Sequence, residues 1–275
     1  MKDFIFYELN LARKNRWIAG FSALFAVLSG LLLYVSVYTY GGGGHEGFSR
    51  EISSLLNLSI YIIPILSLLL GSVSVAGDHT DGMFTLLRSI PLSVRTYLWG
   101  KFLGLSLSLS IAIFLGYGVG GLLFSLFIGE ADLSLFLLFL LVNLALAYIY
   151  MAIGCLLGSI VSSRIQAIFS SLVIWFFSVL VYGMLMVVIL PFLPFTMMKS
   201  FAIAMIALNP ADLLRVIFVM AIGDGGVYGP LFYTLSSVMK NGFSLLAVFA
   251  GILLVWVGIP LVIGRRYLER REGRG

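Results

Sequence analysis

The chain has 275 residues, 61% hydrophobic and 11% charged, with a mean hydropathy of +1.10. Soluble domains carry about 25% charged residues, so the polar surface for a soluble enzyme, a nucleic-acid-binding domain or a disulfide scaffold is missing; the composition is that of an integral membrane protein. The net charge of +5 reflects where the cations sit along the chain and calls for no anionic partner such as nucleic acid.

In chain order, residues 1–16 carry Lys2, Arg13, Lys14 and Arg16 ahead of the first apolar run, Trp17 to Tyr38. That run matches the roughly 20 residues of a bilayer crossing. It lacks an A-x-A-like exit and is expected to be a retained span rather than a cleaved signal. Gly41–Gly44 reads as a flexible loop. Five further apolar stretches lie at about 52–75, 102–127, 134–160, 167–190 and 243–263, and Pro64 is expected to kink the first of these. The interiors of all six lack Asp, Glu, Lys, Arg and His. Backbone groups in lipid must be satisfied within the segment, so helices are predicted. The fold class is all-α integral membrane, one transmembrane domain over 1–275 with six spans.

This threading puts 13 of the 17 Lys and Arg on one side, while the acids divide six and six. By the positive-inside rule both termini are cytoplasmic and the protein is a multi-pass component of the cell membrane.

The second connection, within 76–101, is the informative one. It reads Gly77-Asp78-His79-Thr80-Asp81-Gly82-Met83-Phe84-Thr85-Leu86-Leu87-Arg88-Ser89-Ile90-Pro91-Leu92-Ser93-Val94-Arg95 and runs on to Gly100-Lys101. Its acids are expected to open a short helix, where they oppose the positive end of the dipole. Phe84, Leu87 and Leu86 give that helix an apolar face and Pro91 stops it. Such an element suits docking into a groove on another protein; an interfacial helix that merely anchors the loop is the plainer reading.

The stretch 191–242 holds two apolar pieces, Phe195–Leu208 and Pro210–Ile222, either side of Asn209-Pro210. Asn at a helix cap followed by Pro is a start signal. Each piece is too short to span, and a seventh crossing would export the arginine-rich tail. Two short helices on, or dipping into, the outer face are expected, closed by Gly223-Asp224-Gly225-Gly226. Asp212 and Arg215, three apart, can pair on one helix, as a simple capping pair or as an outer gate.

Other motifs narrow the chemistry. There is no phosphate-binding loop, no H-E-x-x-H and no C-x-x-C, and no intramembrane carboxylate to couple an ion gradient. The chain is therefore expected not to be an enzyme, and energy for transport must come from outside it. Asp78-His79-x-Asp81 and His45-Glu46 are weak metal candidates. Seven of ten methionines lie between Met184 and Met239; Met184, Met186, Met197 and Met198 could offer soft thioether ligands to Cu(I) or simply fill gaps. Cys155 reads as a small packed residue. Gly116-x-x-x-Gly120 and Gly154-x-x-x-Gly158 allow close helix approach, most simply within one chain. No internal repeat makes the halves a matched pair.

The acidic pair, Gly82, Leu86-Leu87, Pro91, Ser93-x-Arg95 and Gly100-Lys101 resemble the loop between the first two core helices of ABC-2 type permeases, with Thr80 and Met83 departing from the usual residues. Residues 3–16 resemble that family's amphipathic elbow helix. Within the family, Leu208-Asn209-Pro210-Ala211-Asp212-Leu213-Leu214-Arg215 is most similar to permeases serving nitrous-oxide reductase maturation. The resemblance implies a permease subunit, an exporter by family expectation, working as a homodimer with two copies of a separate ATPase that carries the ATP and Mg. It also admits a periplasmic or extracellular accessory protein. Asp78, Asp81, Gly82, Met83, Phe84, Leu86, Leu87, Pro91, Arg95 and Lys101 would then form the ATPase-coupling segment, and Asn209, Pro210, Asp212 and Arg215 the outer gate. An ATP-independent channel or carrier, and a passive membrane anchor, are the rival readings.

Overall fold

A computed structural model describes residues 17–40, 44–82, 93–128, 132–221 and 242–272. Every element among them is helical: α1 (Trp17–Tyr40), α2 (Gly44–Thr80), α3 (Val94–Ile128), α4 (Leu133–Ile160), α5 (Arg164–Trp175), a π-helical segment (Phe176–Val181), α6 (Tyr182–Ile189) closed by a 3-10 turn (Leu190–Phe192), α7 (Phe195–Leu208), α8 (Pro210–Ala221) and α9 (Gly242–Glu272). Among the described residues five stretches are long and apolar enough to cross a membrane: Glu51–Thr80, Val94–Leu122, Leu133–Ile160, Arg164–Phe192 and Ala250–Arg270. The first apolar run is helical as α1. The elbow helix expected within 1–16 and the Gly223–Gly226 closure lie outside the described residues; of the loop expected at Gly41–Gly44, Gly44 is instead the first residue of α2 and the rest lie outside them.

Several helices run well past the apolar runs that announce them. Helix α2 begins at Gly44, α3 at Val94, and α9 continues to Glu272. Arg, Lys and Glu are good helix formers, so an apolar run marks the part bathed in hydrocarbon and not the whole helix. In the tail, Arg265 Nε donates to Glu269 Oε1 at 2.5 Å, one turn on. Local polar residues set the starts. Asp132 Oδ1 accepts from the amides of Ser134 (2.9 Å) and Leu135 (3.2 Å) to cap α4, and Ser163 Oγ accepts from Gln166 N to cap α5.

Helix α4 is the centre of the bundle, packed on α2, α9, α3 and α8, while α1 lies along α3. Glycines set these distances. A Cβ on Gly154 would stand 2.7 Å from the Leu68 carbonyl oxygen, and one on Gly158 2.5 Å from that of Ser72. Gly71 reciprocates: its Cβ would meet the Met151 carbonyl at 2.7 Å. Across the other seam, Gly116 faces Phe25 and Gly120 faces Ser29. Both G-x-x-x-G motifs are thus used inside the chain, where close backbones gain van der Waals contact that lipid cannot otherwise provide. Hydroxyl pairs cross the neighbouring seams: Ser59–Tyr117 between α2 and α3 at 2.6 Å, Ser110–Tyr148 between α3 and α4 at 2.9 Å, and Ser72–Ser171 between α2 and α5 at 2.7 Å. Cys155 is a buried thiol on α4.

The stretch α5–α6 is the exception. Only Ala167 and Ser171 are buried along it. Helices α7 and α8 form the expected short pair, bent by 111° at Asn209. Their junction is inserted into the bundle: Ala211, Leu214, Ile217 and Phe218 of α8 are buried.

Candidate functional site

The end of α2, the start of α3, the end of α4, the start of α5 and the later part of α9 meet at one end of the bundle. Here the sequence expectation needs a correction. Asp78 does not open a short helix; it lies in the last full turn of α2, which runs unbroken to Thr80. The stop is Gly82 at φ +71°, a left-handed residue that glycine adopts without steric cost. The Asp81 amide donates to the Gly77 carbonyl at 2.9 Å, and Thr80 Oγ1 donates to that same oxygen at 2.9 Å. Asp78 therefore closes a span, and Asp81 lies in the turn that follows it. The following residues of the coupling segment, Met83, Phe84, Leu86, Leu87 and Pro91, lie outside the described residues.

Both acids are tied to neighbouring helices. Asp78 Oδ2 lies 2.8 Å from Lys101 Nζ and accepts from Tyr97 Oη at 2.6 Å. Lys101 is almost wholly buried, with 3% of its side chain exposed. A buried ammonium requires such a partner, because desolvating it alone is far costlier than desolvating a pair. Asp81 pairs with Arg164 at the first residue of α5, and this pair is solvent-exposed on both sides. Gly77 leaves room for that guanidinium, since a Cβ there would stand 3.0 Å from Arg164 Nε. Arg95 sits exposed in the first turn of α3, which Ser93 caps by accepting from Thr96 N at 3.2 Å. Three predicted residues, Asp78, Asp81 and Lys101, thus fall together. Tyr97 and Arg164 complete the cluster; sequence reasoning used Arg164 only as an orientation charge and passed over Tyr97.

The second predicted group is also assembled. Asn209 caps α8: its Oδ1 accepts from Ala211 N at 3.1 Å and its carbonyl from Leu213 N at 2.9 Å, with Pro210 in the first turn needing no amide partner. Asn209 Nδ2 donates to Asp212 Oδ2 at 2.8 Å and to the Ser178 carbonyl at 2.7 Å. Asp212 Oδ1 lies 3.3 Å from Arg215 Nη1. Ser178 belongs to the π segment, where the i→i+5 pattern displaces carbonyls from the regular ladder; Tyr182 N donates to Phe177 O there. Ser178 lies 14 residues beyond Arg164, about 21 Å at the helical rise, so the α7–α8 junction reaches deep into the bundle. Tyr182 Oη also donates to the Met205 carbonyl at 2.8 Å, tying α6 to α7.

The weaker metal candidates find no shared site. Among the described residues no three His, Cys, Asp or Glu side chains converge as a metal-binding group. Met184 and Met197 are exposed, Met186 and Met198 half-buried.

The geometry is that of an all-helical membrane bundle, with inter-helix ion pairs at one end. The profile of ABC-2 family transporter proteins matches residues 6–272, and the chain belongs to that family. Among characterised relatives it is 28% identical over 272 residues to the probable ABC transporter permease protein NosY of Stutzerimonas stutzeri, covering 96% of each chain. It is 27% identical over 268 residues to the protein of the same name from Pseudomonas aeruginosa, again over 96% of each. The protein is a membrane permease of the ABC-2 class, similar along its whole length to NosY permeases.

Proposed function

We propose that the chain is the membrane-spanning subunit of an ATP-driven exporter, with six spans counting α1, both termini cytoplasmic, and a homodimer coupled to two copies of a separate ATPase chain that binds ATP and Mg. The observation that carries this reading is the double tie at the end of α2, just ahead of residues 83–92. That end is joined to α3 through Asp78–Lys101 and to α5 through Asp81–Arg164. A partner pressing on that segment therefore moves three helices together.

In the proposed cycle, ATP draws the two ATPases together and with them the docked segments around 78–91. The tilt of α2 carries α3 and α5 along. Movement of the α5–α6 stretch then reaches the α7–α8 pair through Asn209–Ser178 and Tyr182–Met205, and the seam between the two copies opens outward. The near absence of buried residues on α5–α6 supports a second copy as its cover. The chain performs no covalent chemistry in this scheme.

The test is reconstitution with the cognate ATPase. Leu87→Asp and Pro91→Ala are expected to abolish permease-stimulated ATP hydrolysis while the complex stays assembled. Unchanged stimulation in both variants, or cargo movement in vesicles holding this chain alone, would overturn the reading.

A further inference from the structure

We propose that the cavity at the charged end of the bundle holds one acyl chain of a zwitterionic phospholipid, whose head group sits at the Asp81–Arg164 pair. The cavity has a volume of about 560 Å³ and lies between α1, α2, α3 and α5, within the roughly 300–1,000 Å³ of small-molecule sites. Its depth is apolar, walled by Leu66, Leu69, Leu105 and Leu109, and its rim carries Asp78, Asp81, Lys101 and Arg164. Asp81 and Leu66 are 15 residues apart on or just past α2, about 22 Å along the helix axis. A channel that starts among charges and runs that far into hydrocarbon has the shape and polarity of a lipid tail. Water is a poor occupant, because it needs two to four polar partners and the deep wall offers few.

The rim selects the head group. Asp78 and Lys101 form a buried pair already braced by Tyr97. Asp81 and Arg164 are exposed, so exchanging that contact for another of equal charge is inexpensive. A phosphate can take the guanidinium as a charge-assisted, bidentate partner, while the ammonium of phosphoethanolamine takes the Asp81 carboxylate. An anionic head that takes Arg164 would leave Asp81 with no cation in exchange, and an uncharged head would satisfy neither side. Ile168, exposed on α5, lines the mouth. The proposal needs α2 and α3 to cross a bilayer; it does not depend on ATPase coupling or on which side the termini lie.

Native mass spectrometry of the purified full chain, titrated separately with dioleoyl phosphatidylethanolamine, phosphatidylglycerol and diacylglycerol, tests it. One phosphatidylethanolamine per chain is expected to survive activation, with occupancy at least about tenfold above diacylglycerol and several-fold above phosphatidylglycerol. Ser108 also lines the cavity; Ser108→Trp, which fills it, is expected to lower that occupancy at least about tenfold, and Leu254→Trp on an exposed face of α9 to leave it unchanged. If Ser108→Trp fails to fold, Ile168→Trp blocks the mouth from an exposed position without disturbing packing and is expected to give the same loss. Undiminished retention in the filled variants, or equal retention of the three lipids, would overturn the proposal. So would a lipid-independent disulfide between Tyr7→Cys and Leu69→Cys in a Cys155→Ser background, which would put the chain's own amino-terminal segment in the cavity.

Discussion

Helix α4 and the α5–α6 stretch are nearly equal in length and both strongly apolar, yet they are held in opposite ways. Sixteen residues of α4 are buried, against two along α5–α6. The first carries glycines at backbone-contact distance from α2; the second carries Gly183, with nothing within 4 Å of where its Cβ would be. Hydropathy alone cannot separate these cases, because lipid and a neighbouring helix are about equally apolar surroundings. Small residues at backbone-contact distance distinguish them. The α2–α3–α4 group is a body packed within one chain, and α5–α6 turns most of its side chains away from it.

The sharpest way to break this comparison is at the two ion pairs. Asp78→Ala strands the buried Lys101 and is expected to cost about 3–5 kcal/mol, read as a fall in the thermal midpoint of the detergent-solubilised protein. Adding Lys101→Met is expected to restore most of it. Next, Gly158→Ala drives a methyl to 2.5 Å from the Ser72 carbonyl and is expected to cost about 1–3 kcal/mol. Gly183→Ala, its counterpart on α6, is expected to stabilise by up to about 1 kcal/mol, since an open helical glycine only loses by lacking a side chain. An equal response at the two glycines would erase the distinction. Asp81→Ala removes an exposed pair and is expected to change stability by about 0–1 kcal/mol, while still weakening ATPase stimulation because it unties α5 from α2. The smallest effect is expected at Val187: Val187→Cys, in a Cys155→Ser background, is expected to shift the thermal midpoint by under about 0.5 kcal/mol equivalent yet form an inter-chain disulfide in membranes. Failure to cross-link while other α5–α6 positions succeed would move the seam to another face.

Much of this was legible in the sequence because each signal had one physical cause. Apolar runs of bilayer length give the long helices, Asn209-Pro210 gives the cap of α8, and paired glycines give the close seams. What escaped was whatever depended on a partner distant in sequence. Gly71 has no glycine four residues away to flag it, and its need arises only from the Met151 backbone. Asp78 and Asp81 look like helix openers because acids favour amino-terminal turns; their cross-helix partners Lys101 and Arg164 keep them at a carboxyl-terminal one, where the dipole is against them. Nothing in Phe176-Phe177-Ser178-Val179-Leu180-Val181 announces a π segment, and the cavity is made by four helices at once.

That π segment has a consequence for the wall the protein turns outward. Each widened turn holds one residue more than its neighbours, and one residue corresponds to about 100° of rotation in an ordinary helix. The stripe of side chains on α6 is thereby offset around the axis from the stripe on α5, as a screw thread restarted one tooth late. A surface that grips its neighbour along α5 cannot continue in line along α6. Slipping that single tooth would turn the upper half of the rod, with Tyr182 and the broken pair it holds, while the lower half stayed still.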